Sequence, residues 1–171
     1  MQALDACLSE LRLFKVFQGF DLKEIANLCE GASICVSRHR EQIFRSGEDA
    51  LSFGIVLSGA YKLTKSSLEG DDVIVHFAIP GDVIAAMIMN QPHAKYPISA
   101  TALGTSRFLK IPKTQFIHNW KTKPDLIMNI QSLLTGRKAY LLPAVYGGEF
   151  SREEVVANIS EDTFDYFFKM A

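Results

Sequence analysis

The sequence predicts an α+β protein that is mainly β, an antiparallel sandwich or barrel with short helices before it and a longer amphipathic helix after it. Three observations lead there. Short β-rich runs follow one another from about Ser33 to Pro112, each closed by a Gly, Pro or Asp-containing turn. No helical crossover separates those runs, which rules out a parallel sheet. On either side of them apolar residues recur at three- and four-residue steps, the spacing of a helix face.

The chain has 171 residues, 48% of them hydrophobic and 22% charged. That is one domain, or one domain and a small appendage, with enough apolar material for a core. In the first 31 residues Leu8, Leu11, Phe14, Phe17, Leu22, Ile25, Leu28 and Cys29 mark two short helices interrupted at Gly19. Eight strands are expected over residues 32–112: Ile34–Val36, Gln42–Phe44, Phe53–Leu57, Ala60–Thr64, Val73–Ala78, Asp82–Ala85, Ile98–Leu103 and Ser106–Ile111. Ser58-Gly59 and Gly104-Thr105 are among the expected turns. Val73–Ala78 is apolar on nearly both parities, so it should be covered on both faces, with His76 a hydrogen-bonded core residue. Residues 113–143 read as a helix, with Pro124 in a first turn and Pro143 as its end. Its stripe of Leu126, Ile127, Ile130, Leu133 and Leu134 is wide enough to face a second subunit as well as the barrel. Residues 144–171 read as a Gly-containing linker and two short helices, the first opened by the Ser151-x-x-Glu154 capping spacing.

Composition excludes several classes. Eighteen Lys and Arg against 19 Asp and Glu leave a net charge of -1, so no overall field draws the chain to nucleic acid or an anionic membrane. The longest uncharged apolar run, Val83–Met89, is far short of the roughly 20 residues a bilayer requires. Asp5 and Glu10 sit where an export signal would be cationic and then apolar. A cytoplasmic protein without membrane contact is expected. Cys7, Cys29 and Cys35 lack the spacing of a disulfide framework, zinc site or iron–sulfur cluster. His39, His76, His93 and His118 are scattered, which leaves no metal shell for a cupin-like enzyme. There is no GxSxG, no P-loop and no GxGxxG. No catalytic residue, metal or cofactor is therefore expected, and elimination leaves a binding or regulatory module.

The runs His39–Ala50, Phe53–Leu63, Glu69-Gly70-Asp71 and Pro80–Ile84 resemble the β-roll of the Crp/Fnr family of bacterial transcription regulators. Gly47, Gly59, Gly70 and Gly81 fall where that family turns its strands, positions that favour positive φ. The resemblance covers about Leu11 to Trp120. It implies a double-stranded β-helix, or jelly roll, like that of a cyclic nucleotide-binding domain. It also implies a homodimer through the helix after Pro124, a small-molecule effector, and DNA as a partner by family analogy.

The family members that bind a cyclic nucleotide use a Gly-Glu pair after the Gly-Asp turn and an Arg-Ser/Thr pair about ten residues on. At those positions this sequence reads Ala85-Ala86 and Tyr96-Pro97, with Lys95 the neighbouring cation. Proline also removes an amide donor. The loss is several kcal/mol at ~1.5–3 per charge-assisted hydrogen bond, so no useful affinity for cyclic AMP or cyclic GMP is expected. Gly81, Ala85, Ala86, Met87, Lys95, Tyr96, Pro97 and Ile98 are the effector-pocket positions. Met87, Met89, Tyr96 and Ile98 would line an apolar space, either open to an uncharged ligand or plugged.

In the last segment Ser151-Arg152 and Ser160–Tyr166 overlay the family's helix-turn-helix. Ser151, Arg152, Glu161, Thr163 and Tyr166 fall at its DNA-contact positions. Glu161 and Tyr166 replace both arginines of the recognition helix. Glu149, Glu153, Glu154, Glu161, Asp162 and Asp165 stand against only Arg152 and Lys169, a charge that phosphates repel. With nothing beyond Ala171 to form the β-wing, the segment reads as a partial or degenerate DNA-binding unit. Two functions follow: a Crp/Fnr-type regulator whose sensor has lost cyclic nucleotide binding, or a relative that keeps the β-roll and dimer helix but acts through protein contacts.

Overall fold

A computed structural model describes residues 2–133 of the chain. Helix α1 spans Gln2–Leu11, a single 3-10 turn spans Lys15–Phe17, and α2 spans Leu22–Leu28. The first helix thus begins upstream of Leu8, where the apolar spacing starts. Asp21 opens α2 with a reciprocal cap: its carboxylate accepts the Glu24 amide at 2.8 Å, and the Glu24 carboxylate accepts the Asp21 amide at 2.8 Å. That satisfies two of the orphan donors of a helix start. Leu11, Val16, Phe17, Ile25, Leu28 and Cys29 are buried against the β domain.

The strands are β1 (Ser33–Ser37), β2 (Gln42–Phe44), β3 (Ser52–Ser66), β4 (Asp72–Ala78), β5 (Val83–Ile84) and β6 (Ser99–Pro112). Their pairing is antiparallel throughout, in the order β1-β6-β3-β4, with β2 also on β6 and β5 also on β3. The sheet curls into a jelly roll around Phe44, Ile55, Tyr61, Ala102 and Phe108. Six strands replace the eight expected. Phe53–Leu57 and Ala60–Thr64 are two halves of β3, and Ile98–Leu103 and Ser106–Ile111 fall on β6.

Ser58-Gly59 and Gly104-Thr105 are therefore irregularities inside long strands, where the β3–β6 register shifts between Val56 and Ala60. Gly59, at φ 74°, is the corner. A Cβ there would collide with Ser106 Oγ and stand 2.8 Å from Ser106 Cα. Ser106 Oγ accepts the Ala60 amide at 3.1 Å and lies 3.1 Å from the Ala60 carbonyl. A hydroxyl thus replaces the ladder bond lost at the bulge.

The expectation that β4 is covered on both faces is also corrected. Val73 is 42% and Ile74 38% exposed, because β4 ends the strand order and only its last turn of chain, at Ala78, is buried. His76 is half-buried, its Nε2 4.0 Å from Asp82 Oδ2.

After β6 the chain turns through α3 (Lys113–Gln115) into one wider helical turn, Phe116–Trp120. The expected single helix over 113–143 is broken at 121–123, and α4 starts at 124 and is described to 133. Trp120 is fully buried, donates from Nε1 to the Leu28 carbonyl at 2.9 Å, and meets Phe53 and Phe17 edge-on at 4.8 and 5.8 Å. One indole thereby ties the roll to the N-terminal helices. Leu134 and the whole segment 144–171 lie outside the described residues. Among the described residues no helix is long and apolar enough to cross a membrane.

Two stability outcomes follow. Ser106→Ala leaves the buried Ala60 amide without its acceptor and should cost about 1–3 kcal/mol in urea unfolding. Gly59→Ala should cost more, because it adds the collision to a positive-φ penalty of roughly 1–2 kcal/mol; an equal or smaller loss would refute this account of the corner. Burial, with Cys7 alongside, pushes the Cys29 thiol up to about 12. The neutral thiol is therefore kept in the fold while the unfolded chain ionises, so stability is full below about pH 9 and falls as pH rises towards 12. Melting temperatures of Cys29→Ala should fall less steeply over that window than those of the parent.

Candidate functional site

The turn that carries the first group of pocket positions is fixed by its own backbone. Gly81 donates its amide to the Val56 carbonyl at 2.8 Å, and Val56 donates to the Asp82 carbonyl at 3.0 Å. The buried Asp82 carboxylate accepts the Ile79 amide at 2.9 Å. After β5, Ala85 stands at φ 68°, a left-handed conformation that glycine adopts without strain and alanine does not. Ala86 is buried and leads into a 3-10 turn, Met87–Asn90. Of the two methionines expected to line an apolar space, Met89 is buried and Met87 is 44% exposed.

The second group is held by a different segment. Segment 94–96 lies antiparallel to residues 47–50: the Gly47 amide donates to the Tyr96 carbonyl at 2.9 Å, the Tyr96 amide to Glu48 at 3.0 Å, and the Ala50 amide to Ala94 at 2.8 Å. Tyr96 is 6% exposed. Its ring stacks on Phe44 with centroids 4.4 Å apart, and its hydroxyl donates to the Ser52 carbonyl at 2.8 Å. Phe44 in turn meets Phe108 edge-on at 5.4 Å, and Phe108 meets Tyr61 at 5.8 Å. The phenol thus ends an aromatic row that fills the roll. Lys95 sits outside, its Nζ 2.9 Å from Asp49 Oδ1. By that hydrogen bond and by its charge, Lys95 holds the Asp49 carboxyl below the usual carboxylate range. Both groups are largely exposed, so the pair adds little stability. Pro97 is exposed and Ile98 half-buried.

Gly81–Met87 belong to the turn around β5, and Tyr96 makes its hydrogen bonds and ring contact with Phe44, Gly47, Glu48 and Ser52. The sequence reading missed Phe44 and Ser52 as partners of Tyr96, and Asp49 as the partner of Lys95, because each pair is more than forty positions apart, beyond any local spacing. A groove of about 360 Å³ opens over Ile43, Phe44, Glu48, Asp49, Leu51, Ser52, Lys110 and Pro112 and shares only Tyr96 with the predicted positions. It lies beside the start of β1 and the end of β6, at Ser33, Lys110 and Pro112.

Among the described residues no three His, Cys, Asp or Glu groups come together as a metal site. Cys7 and Cys29 are buried and Cys35 half-buried, all as thiols; burial raises the Cys7 thiol as well. His39 accepts the Gly104 amide on Nδ1 at 3.0 Å. In α4, Leu126 and Ile130 are buried on their own domain, and Ile127 and Leu133 are half-buried against it. Ser151, Arg152, Glu161, Thr163 and Tyr166 lie outside the described residues.

Against this geometry, known proteins give a consistent picture. None of the curated proteins matches the sequence. Among solved structures, the sensor domain of the transcriptional regulator DNR from Pseudomonas aeruginosa is similar with a TM-score of 0.66 at 18% identity, over 80% of this chain and 91% of that one. The catabolite activator protein of Thermus thermophilus is similar with a TM-score of 0.61 at 20% identity, over 72% of this chain and 57% of that one. The c-di-GMP-responsive regulator CLP of Xanthomonas campestris gives 0.59 at 15% identity, over 68% and 59%. The fold is thus one shared with these proteins, and the chain spans a little over half the length of the last two. Residues 37–122, half of the sequence, match the family described as cyclic nucleotide-binding domain, and it is to this family that the chain belongs.

Proposed function

We propose that this chain is the sensor of a Crp/Fnr-type transcription regulator, a cytoplasmic non-enzymatic homodimer, in which cyclic nucleotide binding has been lost. The observation that carries the reading is Tyr96. At the position where the resemblance places a phosphate-pairing arginine, a phenol is buried on Phe44 and donates to the Ser52 carbonyl. A group already packed and hydrogen-bonded inside its own domain cannot also neutralise an anion. Ala85 and Ala86 add no acceptor for a ribose hydroxyl, and Pro97 no amide donor. The dimer contact rests on Ile127, Leu133 and Leu134, since Leu126 and Ile130 are spent on the chain's own core.

A second reading, a relative that acts through protein contacts without touching DNA, is favoured by one observation: six carboxylates against two cations in residues 149–171. Phosphate binding releases counterions and falls steeply with salt, whereas a chain without that patch shows no such slope.

Isothermal titration with cyclic AMP and cyclic GMP should give no heat of binding, and micromolar affinity for either would overturn the proposal. Titration against mixed genomic DNA at rising salt separates the two readings. Affinity that drops steeply with salt supports the regulator, and absence of binding at low salt supports the protein-contact relative.

A further inference from the structure

Charge is unevenly spread along this chain. Between Asp82 and Asp125 there is no Asp or Glu, while Lys95, Arg107, Lys110, Lys113, Lys121 and Lys123 fall in that stretch. Lys95 and Arg107 meet carboxylates from outside it, Asp49 at 2.9 Å and Glu10 at 3.5 Å. The other four form no ion pair among the described residues.

Two of these lysines are brought to one place. Lys113 donates from Nζ to the Gln91 carbonyl at 3.1 Å, and Lys121 donates from Nζ to Asn90 Oδ1 at 3.4 Å. Both acceptors are neutral, so two ammonium charges stand beside adjacent residues without a described carboxylate to offset them. Asn90 closes the 3-10 turn that Met87 opens. Side chains three apart eclipse in such a turn, so the exposed Met87 thioether lies on the side that Lys121 holds. The result is a basic surface with a soft apolar edge, which carboxylates and aromatic rings satisfy together.

The chain itself carries a segment of that composition. Residues 149–171 hold six carboxylates against two cations, and five aromatic residues, four of them within 164–168. Residues 134–148 join this segment to α4 and reach ~50 Å when extended, against ~15 Å for α4 from 124 to 133. A tether of that reach gives the segment an effective concentration on the order of millimolar at the lysines, so weak individual pairs suffice.

We propose that the acidic aromatic segment 149–171 docks on the surface formed by Lys113, Lys121 and Met87 of its own chain. The two ammonium groups pair with carboxylates at 161, 162 and 165, and an aromatic ring from 164–168 covers the Met87 thioether. The contact requires neither DNA binding nor loss of cyclic nucleotide affinity, so its failure leaves the sensor reading untouched.

Hydrogen exchange of the full chain without ligand tests it. At low salt the amides of residues 160–168 should exchange about fivefold more slowly than at 1 M salt, where the screening length falls to ~3 Å. Lys113→Gln with Lys121→Gln keeps a donor at each position but removes both charges, and should abolish that difference. Lys113→Glu with Lys121→Glu should do the same, and adding Glu161→Lys with Asp162→Lys should restore it. Lys23→Gln, at an exposed position of α2, should change nothing. A zero-length carbodiimide should join Lys113 or Lys121 to residues 161–165 within one chain. Equal exchange at both salt levels, protection that survives loss of both lysines, or cross-links found only between differently labelled copies would each overturn the proposal. So would a Lys→Glu pair that leaves the segment as it was but weakens binding to mixed genomic DNA, which would assign the lysines to phosphates instead.

Discussion

Every strand of this domain depends on the pairing of β3 with β6. β1 and β2 hydrogen-bond to β6, and β4 and β5 to β3, so the two long strands are the frame on which the others hang. Both must bend to close the roll, and the bend at Gly59 is possible only because a hydroxyl, Ser106, occupies the space a side chain would need and serves the amide the bulge strands. The aromatic row Tyr61–Phe108–Phe44–Tyr96 packs inside that bend. The position of Tyr96, at the end of that row, follows from the curvature of the frame.

The pocket positions are held by hydrogen bonds within the domain. The 94–96 segment pairs with the backbone of 47–50, and the β5 turn is closed by Asp82 and Val56. Each half satisfies its own polar groups, the outcome expected when buried donors and acceptors cannot wait for a visitor. Ala85 keeps a conformation suited to glycine, so the fold imposes the turn even where the residue does not favour it.

Much of this was legible in the sequence, and the reasons for the rest are specific. Turn glycines at 47, 70 and 81 marked real strand ends because positive φ is a local requirement, and Pro124 marked a helix start for the same kind of reason. Gly59 and Gly104 sent the same signal from inside strands, since a bulge and a turn ask the same thing of one residue. Val73 and Ile74 misled because alternation shows which residues could be buried, not whether a neighbouring strand exists to bury them. Asp21 with Glu24 was a readable cap that the apolar pattern overshadowed. The partners of Tyr96 were beyond reach, as were the hydrogen bonds that the Asn129 side-chain amide donates to the Val16 and Gln18 carbonyls, 113 and 111 positions away.

The order of the strands along the chain also constrains how this domain is made. β6 comes last among them, yet among the described residues β1 and β2 pair with no other strand. During synthesis these early strands emerge with bare edges and wait for β6 to leave the ribosome, as the pairing of Ser33 with Lys110 and of Phe44 with Ala100 requires. A topology so dominated by distant partners folds slowly, in milliseconds to seconds. The nascent polypeptide therefore carries unpaired strand edges until its last strand emerges, an interval in which such edges invite association with other chains.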